Sequence, residues 1–316
     1  MIYWGKICRK EMNAMEHTTP SKSRTTLVLT LMVLVLIALL TVLVVFCLPH
    51  FTREPDVPTE APTLAPTLAP TEPPTEAPTE APTEPLVDLN PYSKYDFQYE
   101  GKYLKLLNGE SITGIDVSSY QGEVDWEQVK KAGIEFAMIR LAYRGYETGK
   151  IVDDKYAQRN LVGAFEAGLE IGVYFFSQAI TVEEAIEEAE YVLEKLDGYE
   201  ITMPVVFDWE HVNDEDARSN NIDKRTLTDC AKAFLDTINE AGYKGMLYFN
   251  TSQSRNLFHL DELDAYPFWL ALYSNRMTFP YKVEMWQYTC TGKVPGINGD
   301  CDINVYFPEQ DIEAAG

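Results

Sequence analysis

The chain from residue 111 to 316 predicts an α/β fold: a (β/α) barrel, irregular and incomplete, of about eight strands and five helices. Three observations predict it. Short apolar runs alternate with segments of helical periodicity. The helices then weaken while strand-like runs continue. Acidic residues fall at the ends of those runs, where barrels of this kind carry their chemistry.

Ile112–Val117 reads as the first strand, followed by a helix from Asp125, where Asp125 and Gln128 resemble a capping box. Ile134–Ala142 is the second strand, and Leu161, Ala164 and Phe165 lie on one face of the helix after it. Leu169–Ser177 is the third. Thr181 and Glu184 then cap a helix that buries Ala185, Ala189, Val192, Leu193 and Leu196, with Glu183, Glu184, Glu187, Glu188 and Glu190 on a solvated face. Pro204–Trp209 is the fourth strand. The helix after Arg225 carries Leu227, Ala231, Phe234, Leu235 and Ile238 at helical spacing, with Cys230 buried and unpaired among them. Gly245–Asn250 is the fifth strand. Phe268–Tyr273, Val283–Thr289 and Asp302–Phe307 complete the set, joined by loops. Alternation of this kind implies a parallel sheet covered by helices.

Three different segments precede the barrel. Residues 1–26 are a short tail. Leu27–Leu48 is a run of 22 uncharged residues, broken only by Thr30 and Thr41. As a helix it is about 33 Å long, enough to cross a bilayer core of about 30 Å. Lys6, Arg9, Lys10, Lys22 and Arg24 precede it and only Arg53 follows closely, which puts the N-terminus in the cytoplasm and the rest outside. A cleaved signal peptide has a shorter apolar region and small residues at its end, whereas this run closes Val-Val-Phe-Cys-Leu-Pro. Residues 49–85 are a Pro/Thr/Glu-rich linker with Pro-Thr recurring every four residues, a composition that favours an extended spacer. Residues 86–110 read as an irregular, tyrosine-rich lead-in.

The formal net charge is −23, from 49 acidic and 26 basic side chains. That balance excludes nucleic acid as a partner, because phosphate recognition needs clustered Lys and Arg. The four His have no metal-ligand spacing to one another, so neither a metal nor another cofactor is expected. Cys290 and Cys301 flank a Gly/Pro-containing loop in an expected oxidising compartment, and a disulfide between them is a candidate staple.

Asp116 closes the first strand, Asp208 and Glu210 close the fourth, and Asp302 lies in the last. Residues two apart on a strand share a face, so Asp208 and Glu210 point together while Trp209 points away. Asp302 and Asn304 likewise share a face. Paired acids suit glycoside hydrolysis, since one carboxyl must be protonated and its neighbour raises its pKa.

The residues Gly114-Ile-Asp-Val-Ser-Ser-Tyr-Gln-Gly122, Val124-Asp-Trp126, Phe207-Asp-Trp-Glu210, Trp286-Gln-Tyr288 and Asp302-Ile-Asn304 resemble glycoside hydrolase family 25, the Chalaropsis-type lysozymes. The resemblance implies a flattened barrel with a groove over Asp116, Asp208, Glu210 and Asp302, and cleavage of the β-1,4 bond between N-acetylmuramic acid and N-acetylglucosamine in peptidoglycan. It implies Glu210 as general acid/base and Asp208 steering the substrate's own 2-acetamido group, with direct attack by Asp208 or an inverting water as alternatives. Asp116 and Asp302 would hold sugar hydroxyls and tune the charge of the pair. Many members carry Tyr-His-Phe where this chain has Tyr174-Phe175-Phe176, a departure expected to alter a substrate contact.

Tyr174, Trp286 and Tyr288 are candidates for stacking on sugar rings, with plain core packing as the competing reading. Arg140 is a candidate anchor for the acids, or else a surface ion pair. Asn304 joins the candidate substrate-binding set. Trp126 and Trp209 read as core. The expected protein is a monomeric glycosidase, anchored in a bacterial plasma membrane with its barrel outside and acting on peptidoglycan strands. Its rivals are a non-catalytic glycan-binding barrel and a chitinase-like glycosidase.

Overall fold

A computed structural model describes residues 87–308. The apolar run Leu27–Leu48, the tail before it, the linker after it and residues 309–316 lie outside the described residues. Among the described residues, no helix is long and apolar enough to cross a membrane.

Eight strands close a barrel: β3 (Ile112–Val117), β4 (Phe136–Arg144), β6 (Glu170–Ser177), β7 (Val205–Trp209), β8 (Gly245–Asn250), β9 (Phe268–Ala271), β10 (Met285–Gly292) and β11 (Cys301–Tyr306). A ninth, β5 (Ile151–Asp153), pairs with the end of β4. The helices are α1 (Trp126–Lys131), α2 (Ala157–Glu166), α3 (Val182–Leu196), α4 (Lys224–Glu240) and α5 (Gln253–Asn256). The first, third and fourth open on side-chain caps, two of them expected: Asp125 accepts from Gln128 N and Thr181 from Glu184 N, while Asp223, not expected, accepts from Thr226 N.

The strands alternate in two directions. Phe136, Met138, Tyr174, Val206, Met246, Tyr248, Trp269 and Met285 fill the lumen. Ile115, Phe175, Phe207, Trp209, Phe249 and Val305 face outward into the larger core beneath the helices. Gly114 makes room low in the lumen, where an added Cβ would lie 2.3 Å from the Phe136 ring.

Three sequence expectations change. The sheet is not wholly parallel: β11 runs antiparallel to both β10 and β3. The eight residues between β10 and β11 form a hairpin-like return, whereas a parallel connection needs a crossover of a dozen or more. Phe165 is exposed rather than packed. Glu188, assigned to a solvated face, is fully buried, because it shares a stripe with Ala185, Ala189 and Val192 and meets Arg144 of β4 at 2.6 Å.

The lead-in also has a defined structure. It holds an antiparallel hairpin, β1 (Phe97–Glu100) with β2 (Tyr103–Leu106). Phe97, Leu104 and Leu106 join the outer core with Trp286, Tyr288, Val305 and Phe307. The hairpin thus packs on the outer side of β10 and β11. Leu104 is fully buried there, so Leu104→Ala is expected to cost about 2–5 kcal/mol in urea unfolding; a loss below about 0.5 kcal/mol would show that the hairpin is not part of the folded unit.

Candidate active site

The reversed direction of β11 decides where the acids meet. Asp116 stands next to last in β3, Asp208 next to last in β7, and Glu210 one residue past β7. Asp302 is the second residue of β11, so an antiparallel strand begins at the mouth where the parallel strands end. Asp302 and Asp116 are direct cross-strand partners. Asp116, Asp208 and Asp302 are only 3%, 3% and 6% exposed, and Glu210 is half-buried.

Asp116 is held by two carboxamides. Its Oδ2 accepts from Gln287 Nε2 at 2.9 Å and from Asn304 Nδ2 at 2.8 Å. Those amides are oriented in turn: Gln287 Oε1 accepts from the Tyr248 and Tyr273 hydroxyls, and Asn304 Oδ1 accepts from Trp269 Nε1 at 2.9 Å. Burial pushes Asp116 up to about 6, against the pull of the two amides. Asp208 is pushed well above its ordinary range by burial, then by the charges of Glu210 and Asp116, while Arg140 pulls it down. Burial raises Asp302 too, and Asp116 and Glu210 add to it. Glu210 raises Asp208 chiefly by its charge and, more weakly, as an acceptor for its protonated form. Asp208 Oδ1 and Asp302 Oδ1 are buried without a hydrogen-bond partner. An arrangement of this kind can store a proton at neutral pH and present it at a half-buried mouth.

Other expected residues separate by face. Tyr174 points into the lumen beside Trp269, with ring centroids 6.3 Å apart, and forms part of the buried floor. Burial raises its phenol, Arg140 opposes, and Asp116 and Asp208 push it further up. Arg140 is not a surface pair. Its Nη2 lies 2.8 Å from Asp154 Oδ2, its Nε and Nη2 hold Asp154 and Ser119, and its guanidinium sits between the Tyr120 and Tyr143 rings. Asn304 is fully buried and spent on Asp116 and Trp269, which leaves it no surface for a ligand.

Trp286 and Tyr288 are corrected. Both face outward: Trp286 packs on Phe97 at 5.1 Å and donates to Leu272 O, and the Tyr288 hydroxyl accepts from Leu104 N. The residue between them, Gln287, is the one that faces the acids. Phe175 also faces the helices, so the departure from Tyr-His-Phe does not reach the lumen. The disulfide expected between Cys290 and Cys301 is not formed. Cys301 is a buried free thiol opposite Gly292, past an irregular step in the ladder, and its Sγ donates to Asp302 O. Among the described residues, no group of three or more His, Cys, Asp or Glu is placed to hold a metal ion.

Gln287, Tyr248, Tyr273 and Trp269 escaped the sequence reading. The signal was present for Gln287, since strand alternation separates it from the two aromatics that flank it.

Residues 115–297 match the model of the family described as Glycosyl hydrolases family 25. The chain belongs to that family. It is a glycoside hydrolase, and three of its four mouth acids lie inside the matched segment, with Asp302 beyond it. Among family relatives, Lysozyme M1 of Streptomyces globisporus is 28% identical over 205 residues, 62% of this chain and 67% of that one. The modular autolysin LytC of Streptococcus pneumoniae is 26% identical with a TM-score of 0.55, covering 63% of this chain. This chain matches 47% of that autolysin, about half its length. A family 25 glycosyl hydrolase from Bacillus anthracis shares the fold, with a TM-score of 0.54 at 24% identity over 69% of this chain and 96% of that one.

Crowded buried carboxyls cost stability when they ionise. A carboxyl whose folded pKa is raised holds its proton longer folded than unfolded, so its contribution falls as pH rises from the ordinary 3.8 through the folded value. Asp302→Asn is therefore expected to raise the melting temperature by several degrees at pH 8 and less at pH 5. Equal gains at both pH values in thermal unfolding would contradict the burden assigned to this group.

Proposed function

We propose that this glycoside hydrolase is an N-acetylmuramidase of peptidoglycan, cleaving the β-1,4 bond between N-acetylmuramic acid and N-acetylglucosamine. The observation that carries the mechanism is the placement of Asp208 and Glu210 together at a buried mouth, where burial and the charge of Glu210 favour a proton on Asp208. Neighbouring acids on one strand face, with a proton favoured between them, contrast with an inverting pair set about 6.5–9.5 Å apart around an attacking water. They suit substrate assistance. Glu210 gives its proton to the leaving oxygen as the C1–O bond breaks, and the sugar's own acetamido oxygen closes on C1. Asp208 turns to accept from the acetamido N–H. Water then attacks C1 and returns a proton to Glu210, with net retention of configuration.

Peptidoglycan as substrate is supported by the relatives' names, and by a solved structure of LytC in complex with a synthetic peptidoglycan ligand. Asp116 and Asp302, the first held by Gln287 and Asn304, would tune the charge of the pair and meet sugar hydroxyls. The anchor reading rests on the 22-residue apolar run Leu27–Leu48 and its flanking cations. On that reading the barrel acts outside the plasma membrane as a monomer, tethered through the Pro/Thr/Glu-rich linker.

Purified protein is expected to release reducing ends from peptidoglycan and not from chitin, with the β anomer formed first by NMR. Glu210→Gln is expected to lower the rate on the order of 10²–10⁴-fold, and wild-type turnover by that variant would end the acid assignment. For the anchor, the protein should sediment with membranes and resist high-salt extraction; release by salt alone would contradict a spanning helix.

A further inference from the structure

Glu210 stands outside the ladder that orders its neighbours. The last pairings of β7 are Asp208 with Tyr248 of β8 and Trp209 with Ser177 of β6. Residue 210 begins an irregular stretch that runs to a 3-10 turn at Arg218–Asn221. A proton donor on such a stretch would ordinarily wander, yet acid catalysis needs its carboxyl fixed to a fraction of an ångström.

Two glutamines from neighbouring loops supply the missing restraint. Gln178, just past β6, donates from Nε2 to Glu210 O at 2.7 Å and to Ser177 O at 2.8 Å. Its Oε1 accepts from Ser219 Oγ at 2.6 Å. Gln253, which opens α5 after β8, donates from Nε2 to Trp209 O at 2.8 Å, while its Oε1 accepts from Asn250 N at 2.8 Å. Backbone partners settle which end of each amide is nitrogen: carbonyls accept from Nε2 of both, and Asn250 N donates to Gln253 Oε1. Both glutamines are buried.

The two carbonyls they hold belong to the two peptide planes that flank the Glu210 Cα. Fixing both planes fixes φ and ψ of residue 210, because those are the only soft backbone dihedrals there. The direction of its Cα–Cβ bond follows. The outer support is itself braced: Arg218, next to Ser219, pairs with Glu184 of α3 and lies against Gly149, where a side chain would collide with it. Arg144 donates to Gly149 O and Glu184 O and pairs with buried Glu188.

We propose that Gln178, supported by Ser219, and Gln253 are positioning residues that hold the backbone of residue 210 between two carboxamides and so aim the Glu210 carboxyl at Asp208 and the scissile bond. The inference rests on Glu210 being the proton donor. It adds three residues to the machinery without giving any of them contact with substrate. Gln178 is spent on protein partners at both its nitrogen and its oxygen, which separates this role from sugar binding.

The test uses the full chain, with Gln178→Met, Gln253→Met and Ser219→Ala compared with wild type and Glu210→Gln on purified peptidoglycan. Gln178→Met and Gln253→Met each keep the volume and remove the donor. They are expected to lower kcat on the order of 10–100-fold with KM within about twofold, as for a misplaced catalytic group. Ser219→Ala, the variant least able to disturb folding, is expected to lower kcat several-fold and to shift the pH limb of kcat set by the acid pair. Hydrogen exchange across residues 209–213 should quicken in all three. Inactive Glu210→Gln beside folded Gln178, Gln253 and Ser219 variants with wild-type kcat and pH profile would overturn this inference alone. Activity retained by Glu210→Gln would overturn the acid assignment and the inference built on it.

Discussion

Burial of Asp116, Asp208 and Asp302 beside Glu210 at one mouth is the constraint on which the other polar contacts there depend. Each buried carboxyl loses hydration, and each ionised neighbour makes the next ionisation harder. The surroundings answer with directed hydrogen bonds and little positive charge. Gln287 and Asn304 satisfy one oxygen of Asp116, and Arg140, the nearby guanidinium, is largely neutralised by Asp154. Asp208 Oδ1 and Asp302 Oδ1 stay without hydrogen-bond partners. A structure kept for stability alone would not leave them so, and the imbalance is what makes the mouth able to hold a proton.

The fold serves that mouth in two ways. Seven strands run toward it, and β11, entering from the opposite direction, delivers Asp302 beside Asp116. The short connection that lets β11 return antiparallel places no helix between β10 and β11 in the chain. The β1–β2 hairpin covers them, with Phe97 and Leu104 seated on Trp286 and Tyr288. The segment before the barrel is therefore part of its core.

Much of this was legible in the residues. Period-two alternation placed Asp208 with Glu210 and Trp209 away from them, and it paired Asp302 with Asn304. Caps at Asp125 and Thr181 marked helix starts. Trp286 and Tyr288 were misplaced for a physical reason. Both faces of a barrel strand are buried, so alternation shows that two faces exist without saying which one is the lumen. The direction of β11 was hidden for a related reason, because an apolar run reads the same either way and only the short loop before it hinted at a hairpin. Glu188 misled because charge is expected at the surface, and its partner Arg144 lies 44 residues away. Gln178 and Gln253 carry no local pattern at all. The carbonyls they hold come from the end of β7 and the residue after it.

The central claim is that one proton is held between Asp208 and Glu210 at neutral pH. Difference infrared spectroscopy of the purified protein against Asp208→Asn at pH 7 measures it most directly. The account predicts a protonated carboxyl C=O band in the wild type that the variant lacks and that disappears only when the pH is raised well above the ordinary carboxylate range. A wild type with no such band at pH 7, its acids all ionised, would contradict it.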